Sequence, residues 1–134
     1  MNIHTRATQL EMKIKLSTLW IVVLFNITFR DFHEFLRPGY MEELLAMTSN
    51  GAEVSQGLLL ASAIVLQIPI GMIFLTQVLH IRVSRWVNII GAIIMIAGTI
   101  VYNLSPDLDD TFFFTIACVA MCAIIWYAWR WSDA

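Results

Sequence analysis

Charge is what this chain has least of. Only 13% of its 134 residues are Asp, Glu, Lys or Arg, eight basic and ten acidic, whereas 59% are hydrophobic. A soluble domain carries roughly 25% charged residues, so about half the usual polar coat is missing and a water-soluble globule is excluded. The mean hydropathy of +0.74 makes lipid the solvent for most of the chain. Cysteine is also scarce. Cys118 and Cys122 lie four apart inside an apolar run, and a disulfide framework needs paired cysteines in aqueous loops. They read as small packing residues. No phosphate loop, haem motif, C-x-x-C or spaced H-E-x-x-H occurs, and no basic tract supports nucleic-acid binding. Internal repeats and low-complexity segments are missing as well.

What is present is four long apolar blocks, at residues 16–36, 55–79, 86–104 and 111–131. A spanning helix needs about 20 residues to cross about 30 Å of hydrocarbon. Barrel strands would be about 10 residues with strict alternation, so helices are predicted. Lys13 and Lys15 precede the first block like the start of a signal peptide, but the block is longer than an h-region and no small-x-small site follows it. The chain is expected to be all-α: a polytopic membrane protein, one domain over 1–134, folded as a four-transmembrane-helix bundle.

Orientation follows from Lys and Arg in short loops. Arg6, Lys13, Lys15, Arg82, Arg85 and Arg130 fall on one side, against Arg30 and Arg37 on the other. Both termini are therefore expected in the cytoplasm. Most acids lie opposite, leaving an acidic outer face. Trp20, Trp86, Trp126, Trp129 and Trp131 read as anchors at the inner interface, and phenylalanines mark the outer one. The first outer loop opens with Pro38-Gly39, and residues 40–47 have the spacing of a short interfacial helix. It is a candidate lid, or a plain connector.

At 100° per residue, Asn26, Arg30, Glu34 and Arg37 fall within about 80° of one another, with His33 beside them. Phe29, Phe32 and Phe35 point elsewhere, towards lipid. Arg30 and Glu34 are an i,i+4 pair, and Asp31 lies off the stripe. Gln67 is near the middle of the second block, at a depth similar to that of Asn26. Two carboxamides there can hydrogen-bond across a helix interface, worth about 1 kcal/mol in lipid. Pro69 removes an amide donor and bends the helix beside Gln67. The third helix lines up Asn88, Ala92, Met95, Thr99 and Asn103. The fourth lines up Thr111, Thr115, Cys118, Cys122 and Trp129. Four small-polar stripes are expected to face inward.

The candidate site is thus a midplane pair, Asn26 and Gln67, below an outer cluster of Arg30, Asp31, His33 and Glu34, with Asn88, Thr99 and Asn103 as an interior stripe. Such placement suits binding or transport of a small molecule, ion or lipid. A structural or assembly subunit is the alternative and a membrane enzyme the third reading. No metal or cofactor is called for. The expected partners are the lipid bilayer and a second copy or another membrane protein.

KIKLSTLWI in the first helix, QGLLL with IPIGMIFL in the second, RWVNIIG opening the third, and F-F-x-T-I with IIWYAWRW in the fourth resemble a family of small four-helix bacterial membrane proteins of unknown function. The resemblance covers nearly the whole chain. It implies the same four-helix topology and a bacterial inner-membrane location. It also implies an acid at the position of Asp31, and Glu where this chain has Gln67, a departure that weakens any proton-relay role.

Overall fold

The structure is a computed structural model that describes residues 2–49, 51–102 and 107–131. Its elements run α1 (Ile3–Glu34), α2 (Tyr40–Leu45), β1 (Thr48–Ser49), β2 (Ala52–Glu53), α3 (Gln56–Val78), α4 (Ile81–Tyr102) and α5 (Leu108–Arg130). Four of the helices, α1, α3, α4 and α5, are long and apolar enough to cross a membrane. The 23 residues of α3 and of α5 each rise about 35 Å, enough for the hydrocarbon layer. The chain is a polytopic membrane bundle, with α2 as the short helix between the first two spans.

Local chemistry sets the boundaries. Ser55 caps α3 by accepting a hydrogen bond from the Leu58 amide at 3.2 Å, which satisfies one of the orphan donors of a helix start. Asp109 and Asp110 sit in the first turn of α5, where carboxylates complement the positive end of the helix dipole. Past α1, Gly39 takes φ 85°, a left-handed conformation that glycine adopts without a Cβ penalty. Lys13 Nζ donates to the carbonyls of Gln77 and Leu79 at 2.8 and 3.0 Å, closing the end of α3.

Neighbours pack in the ring α1–α3–α4–α5–α1, an up-down-up-down bundle. The core lies at the middle of α1 and towards the end of α3, the start of α4 and the end of α5. Leu16, Trp20 and Val23 of α1, Met72 of α3, Ile89, Ala92 and Met95 of α4, and Ala117, Ala120, Met121, Ile124 and Ala128 of α5 are buried there. Lipid tails are as apolar as these side chains, so close packing and hydrogen bonds hold the helices together rather than hydrophobic transfer.

A closed polar knot sits in this core. Asn88 Oδ1 accepts from Trp20 Nε1 at 2.7 Å and from Thr76 Oγ1 at 3.2 Å, and Asn88 Nδ2 donates to the Ser84 carbonyl at 2.7 Å. Trp20 is fully buried, which corrects its expected place in the interfacial belt. Its indole N–H is satisfied inside the bundle by the Asn88 carboxamide. The indole packs over Gly91, where an added Cβ would lie 3.5 Å from Trp20 Cζ2, an ordinary contact.

Two expected faces are reversed. On α5, Thr111, Thr115, Cys122 and Trp129 are exposed. The alanines on the opposite side are smaller and make the close approach instead, while Thr111 and Thr115 satisfy their hydroxyls on the carbonyls four residues back. On α3, Pro69, Met72 and Thr76 form the buried face and Gln67 is exposed. A two-residue antiparallel ladder, Thr48↔Glu53 and Ser49↔Ala52, adds strand to a chain expected to be helical throughout.

Candidate functional site

The end of α1 and the start of α5 run antiparallel, and this brings charges of opposite sign to one depth. Arg30 donates through Nε to Asp110 Oδ1 at 2.8 Å and through Nη2 to Asp110 Oδ2 at 3.2 Å. The two side chains are 15% and 11% exposed, so the pair is largely withdrawn from solvent. Asp31 lies 3.9 Å from Arg30 Nη1 and is half exposed. One turn on, His33 Nδ1 meets Asp109 Oδ2 at 2.9 Å.

Arg37 makes a second cluster. Its Nε donates to Glu34 Oε2 at 3.0 Å and its Nη2 to Glu43 Oε2 at 3.2 Å, while its guanidinium lies 5.5 Å from the centre of the Tyr40 ring. The hydrogen bond to Glu43, with the Glu34 charge behind it, raises the Arg37 pKa above its ordinary value. These bonds tie α2 to the end of α1. Otherwise α2 packs chiefly on β1, and none of its residues is buried. It is a latched connector more than a lid across the bundle.

Below these charges lies a groove of about 260 Å³, lined by Phe25, Asn26, Phe29, Phe32, His33, Leu36 and Phe113. The walls are aromatic. Phe25 and Phe29 stack with centroids 5.8 Å apart, and Phe113 lies 6.1 Å from the His33 ring. Two polar groups interrupt the apolar wall. Asn26 Nδ2 returns to the Val22 carbonyl at 2.9 Å, leaving Oδ1 open. His33 spends Nδ1 on Asp109, leaving Nε2 open. The two residues are seven apart on one helix, about 10 Å along its axis. The groove therefore offers hydrogen-bonding points at two depths on a surface that otherwise suits hydrocarbon.

The expected site residues are not gathered as one. Asn26 and His33 share the groove, whereas Arg30, Asp31 and Glu34 are not among its lining residues. Gln67 stands apart on the outward face of α3, and the Asn26–Gln67 hydrogen bond does not form. The reason is geometric: α1 and α3 join near the core end, through Ser17 Oγ to the Ile73 carbonyl and Gln77 Nε2 to Ser17 Oγ, and residues 56–65 of α3 are exposed. The ladder expected within α1 is also rearranged. Glu34 pairs with Arg37, and Arg30 turns to α5. Asn88 is buried in the knot, Thr99 returns its hydroxyl to the Met95 carbonyl at 2.6 Å, and Asn103 lies outside the described residues.

Asp110, Asp109, Phe25 and Phe113 lie outside the site expected from the sequence. The signal for the acids was available: Arg30 and His33 close one span, Asp109 and Asp110 open another, and an antiparallel pair puts them at one level. Among the described residues, no three His, Cys, Asp or Glu side chains form a group able to hold a metal ion. No hydroxyl or thiol among the described residues is hydrogen-bonded to His33.

Residues 3–134 match the model of a protein family described as Family of unknown function (DUF6326). No curated protein and no solved structure matches the chain.

Proposed function

The chain belongs to that family of unknown function, and we propose that it is a membrane-embedded binding protein for an amphiphilic small molecule, seated in the α1–α5 groove rather than passed through the bundle. The observation that carries this is the groove's composition: aromatic walls open towards lipid, with Asn26 Oδ1 and His33 Nε2, at separate depths, unpaired among the described residues. A ligand with an apolar body and a hydrogen-bonding head matches that surface. Its head would meet the imidazole, and its body would lie along Phe25, Phe29 and Phe32.

The bundle interior argues against a conduit along the axis. Leu16, Trp20, Met121 and Ile124 are fully buried, and the Asn88 knot spends its polar atoms internally. The volume of the groove is below the roughly 300–1,000 Å³ of pockets that enclose drug-sized ligands, which favours one chain or one ring system held at the side. We place the termini and the α3–α4 turn in the cytoplasm on the Lys and Arg bias, which opens the groove to the outer leaflet.

The test is photolabelling of the reconstituted chain with a photoreactive long-chain fatty acid, followed by peptide mapping. Labels are expected to concentrate on residues 25–36 and around Phe113, and Phe29→Ala or His33→Ala should reduce them. Even labelling of every lipid-facing helix, unchanged in these variants, would overturn the proposal.

A further inference from the structure

We propose that two copies of this chain pair through the outward face of α3, with the two Gln67 carboxamides hydrogen-bonded to each other at mid-membrane. The inference does not depend on the α1–α5 groove, which lies on other helices.

Gln67 is the central residue of the 23-residue α3. It is exposed, and at that depth exposure means contact with hydrocarbon. Its wheel position is opposite Thr76 and about 160° from Pro69 at 100° per residue, and both of these are buried in the bundle. The side chain therefore points away from its own fold. Asn26, the other mid-depth amide, returns to the carbonyl four residues back. Gln67 has no such bond and no other partner among the described residues. A carboxamide bare in lipid is costly because nothing there replaces water.

The residues around Gln67 form a seam rather than a random lipid face. Leu60, Ala63, Gln67, Ile70 and Phe74 are spaced 3, 4, 3, 4, the a/d pattern that lets two helices interlock. All five are exposed, Leu60 by 63%, Ile70 by 44% and Phe74 by 66%. Ala63, one turn from Gln67, lets the backbones come close. A single polar residue in an apolar seam fixes register and partner number. Here the polar residue also fixes the partner's identity. An amide carries both a donor and an acceptor, so two copies related by a two-fold axis satisfy each other reciprocally. Both copies insert the same way, so each Gln67 meets its mate at one depth.

The test uses the full chain labelled with donor and acceptor fluorophores in liposomes, with energy transfer followed as the protein-to-lipid ratio falls. Wild type is expected to dimerise, and Gln67→Leu to raise the dissociation constant roughly 3- to 20-fold, the range for hydrogen bonds between membrane helices. Because the side chain faces lipid, helicity should not change. A second arm needs no loss of Gln67: in a Cys118→Ser, Cys122→Ser background, Ala63→Cys should form an intermolecular disulfide, whereas Val119→Cys on the lipid face of α5 should not. A wild type monomeric at every ratio would overturn the proposal. So would a dimer indifferent to Gln67→Leu, an assembly larger than two, or cross-links that form equally from Val119→Cys.

Discussion

Arg30 and Asp110 meet at two points, 2.8 and 3.2 Å apart, and this pair is the strongest tie between the end of α1 and the start of α5. Removing one partner of a buried ion pair costs about 3–5 kcal/mol, because the other charge stays behind without compensation. Residual exposure of 15% and 11% brings the expected loss for Arg30→Met to about 3 kcal/mol. The double variant Arg30→Met, Asp110→Leu should recover most of it. Reversible unfolding in detergent micelles measures both. A single variant within about 0.5 kcal/mol of wild type, the range of an ordinary surface change, would remove the pair from this role.

Asn88 is the hub of the buried knot, and the variants should rank accordingly. Thr76→Val removes one of two donors to Asn88 Oδ1 and keeps the shape, so about 0.5–1 kcal/mol is expected. Asn88→Leu strands the Trp20 indole N–H in a fully buried position, and about 2–3 kcal/mol is expected. The same unfolding measurement decides. Equal losses would show that Asn88 is one contact among several rather than the hub.

Gly91 faces the Trp20 ring, and the available space sets a limit. An added Cβ would lie 3.5 Å from Trp20 Cζ2 and 3.6 Å from Met72 Sδ, both ordinary contacts. Gly91→Ala should be neutral or stabilise by up to about 1 kcal/mol through helix propensity. Gly91→Leu has to displace the indole and should cost about 1–3 kcal/mol. Thermal melts of the two variants should therefore move in different directions. A damaging Gly91→Ala would refute the spacing argument.

Arg37 latches the connector. Exposed ion pairs are worth about 0–1 kcal/mol each, so Arg37→Gln should speed amide exchange over residues 40–53 by about five-fold and leave the core amides unchanged. The raised pKa of Arg37 gives the sign with pH. Its contribution is complete below the ordinary arginine value and is lost only as pH climbs beyond the raised one, so no alkaline release is expected in the working range. Hydrogen exchange followed by mass spectrometry reports both.

The four spans and the short helix were legible because length and continuous apolarity fix them without knowledge of packing. The inward line of Asn88, Ala92 and Met95 was legible for the same reason, as a periodicity of one helix. Facing was harder. In lipid both sides of a span are apolar, so α5 could be read by its Thr and Cys stripe when its alanines make the contact. Gln67 reads as inward from the sequence because polar groups usually avoid lipid, yet the packing of α3 through Pro69, Met72 and Thr76 turns it outward. The groove was invisible since it needs α5 beside α1, a matter of ring order that no single helix encodes. Phe25 and Phe113 are ordinary lipid-facing phenylalanines until those helices are adjacent.

The concentration of the core at one end changes what a stability number means for this protein. Trp20, Thr76, Asn88 and Met121 weld the four helices where α3 ends and α4 begins, while residues 56–65 of α3 are exposed. At the other end Arg30 and Asp110 keep α1 and α5 fastened, so the bundle is a hinge with one loose leaf, the first turns of α3. A melting temperature reports the weld and the Arg30–Asp110 clasp and says almost nothing about that leaf.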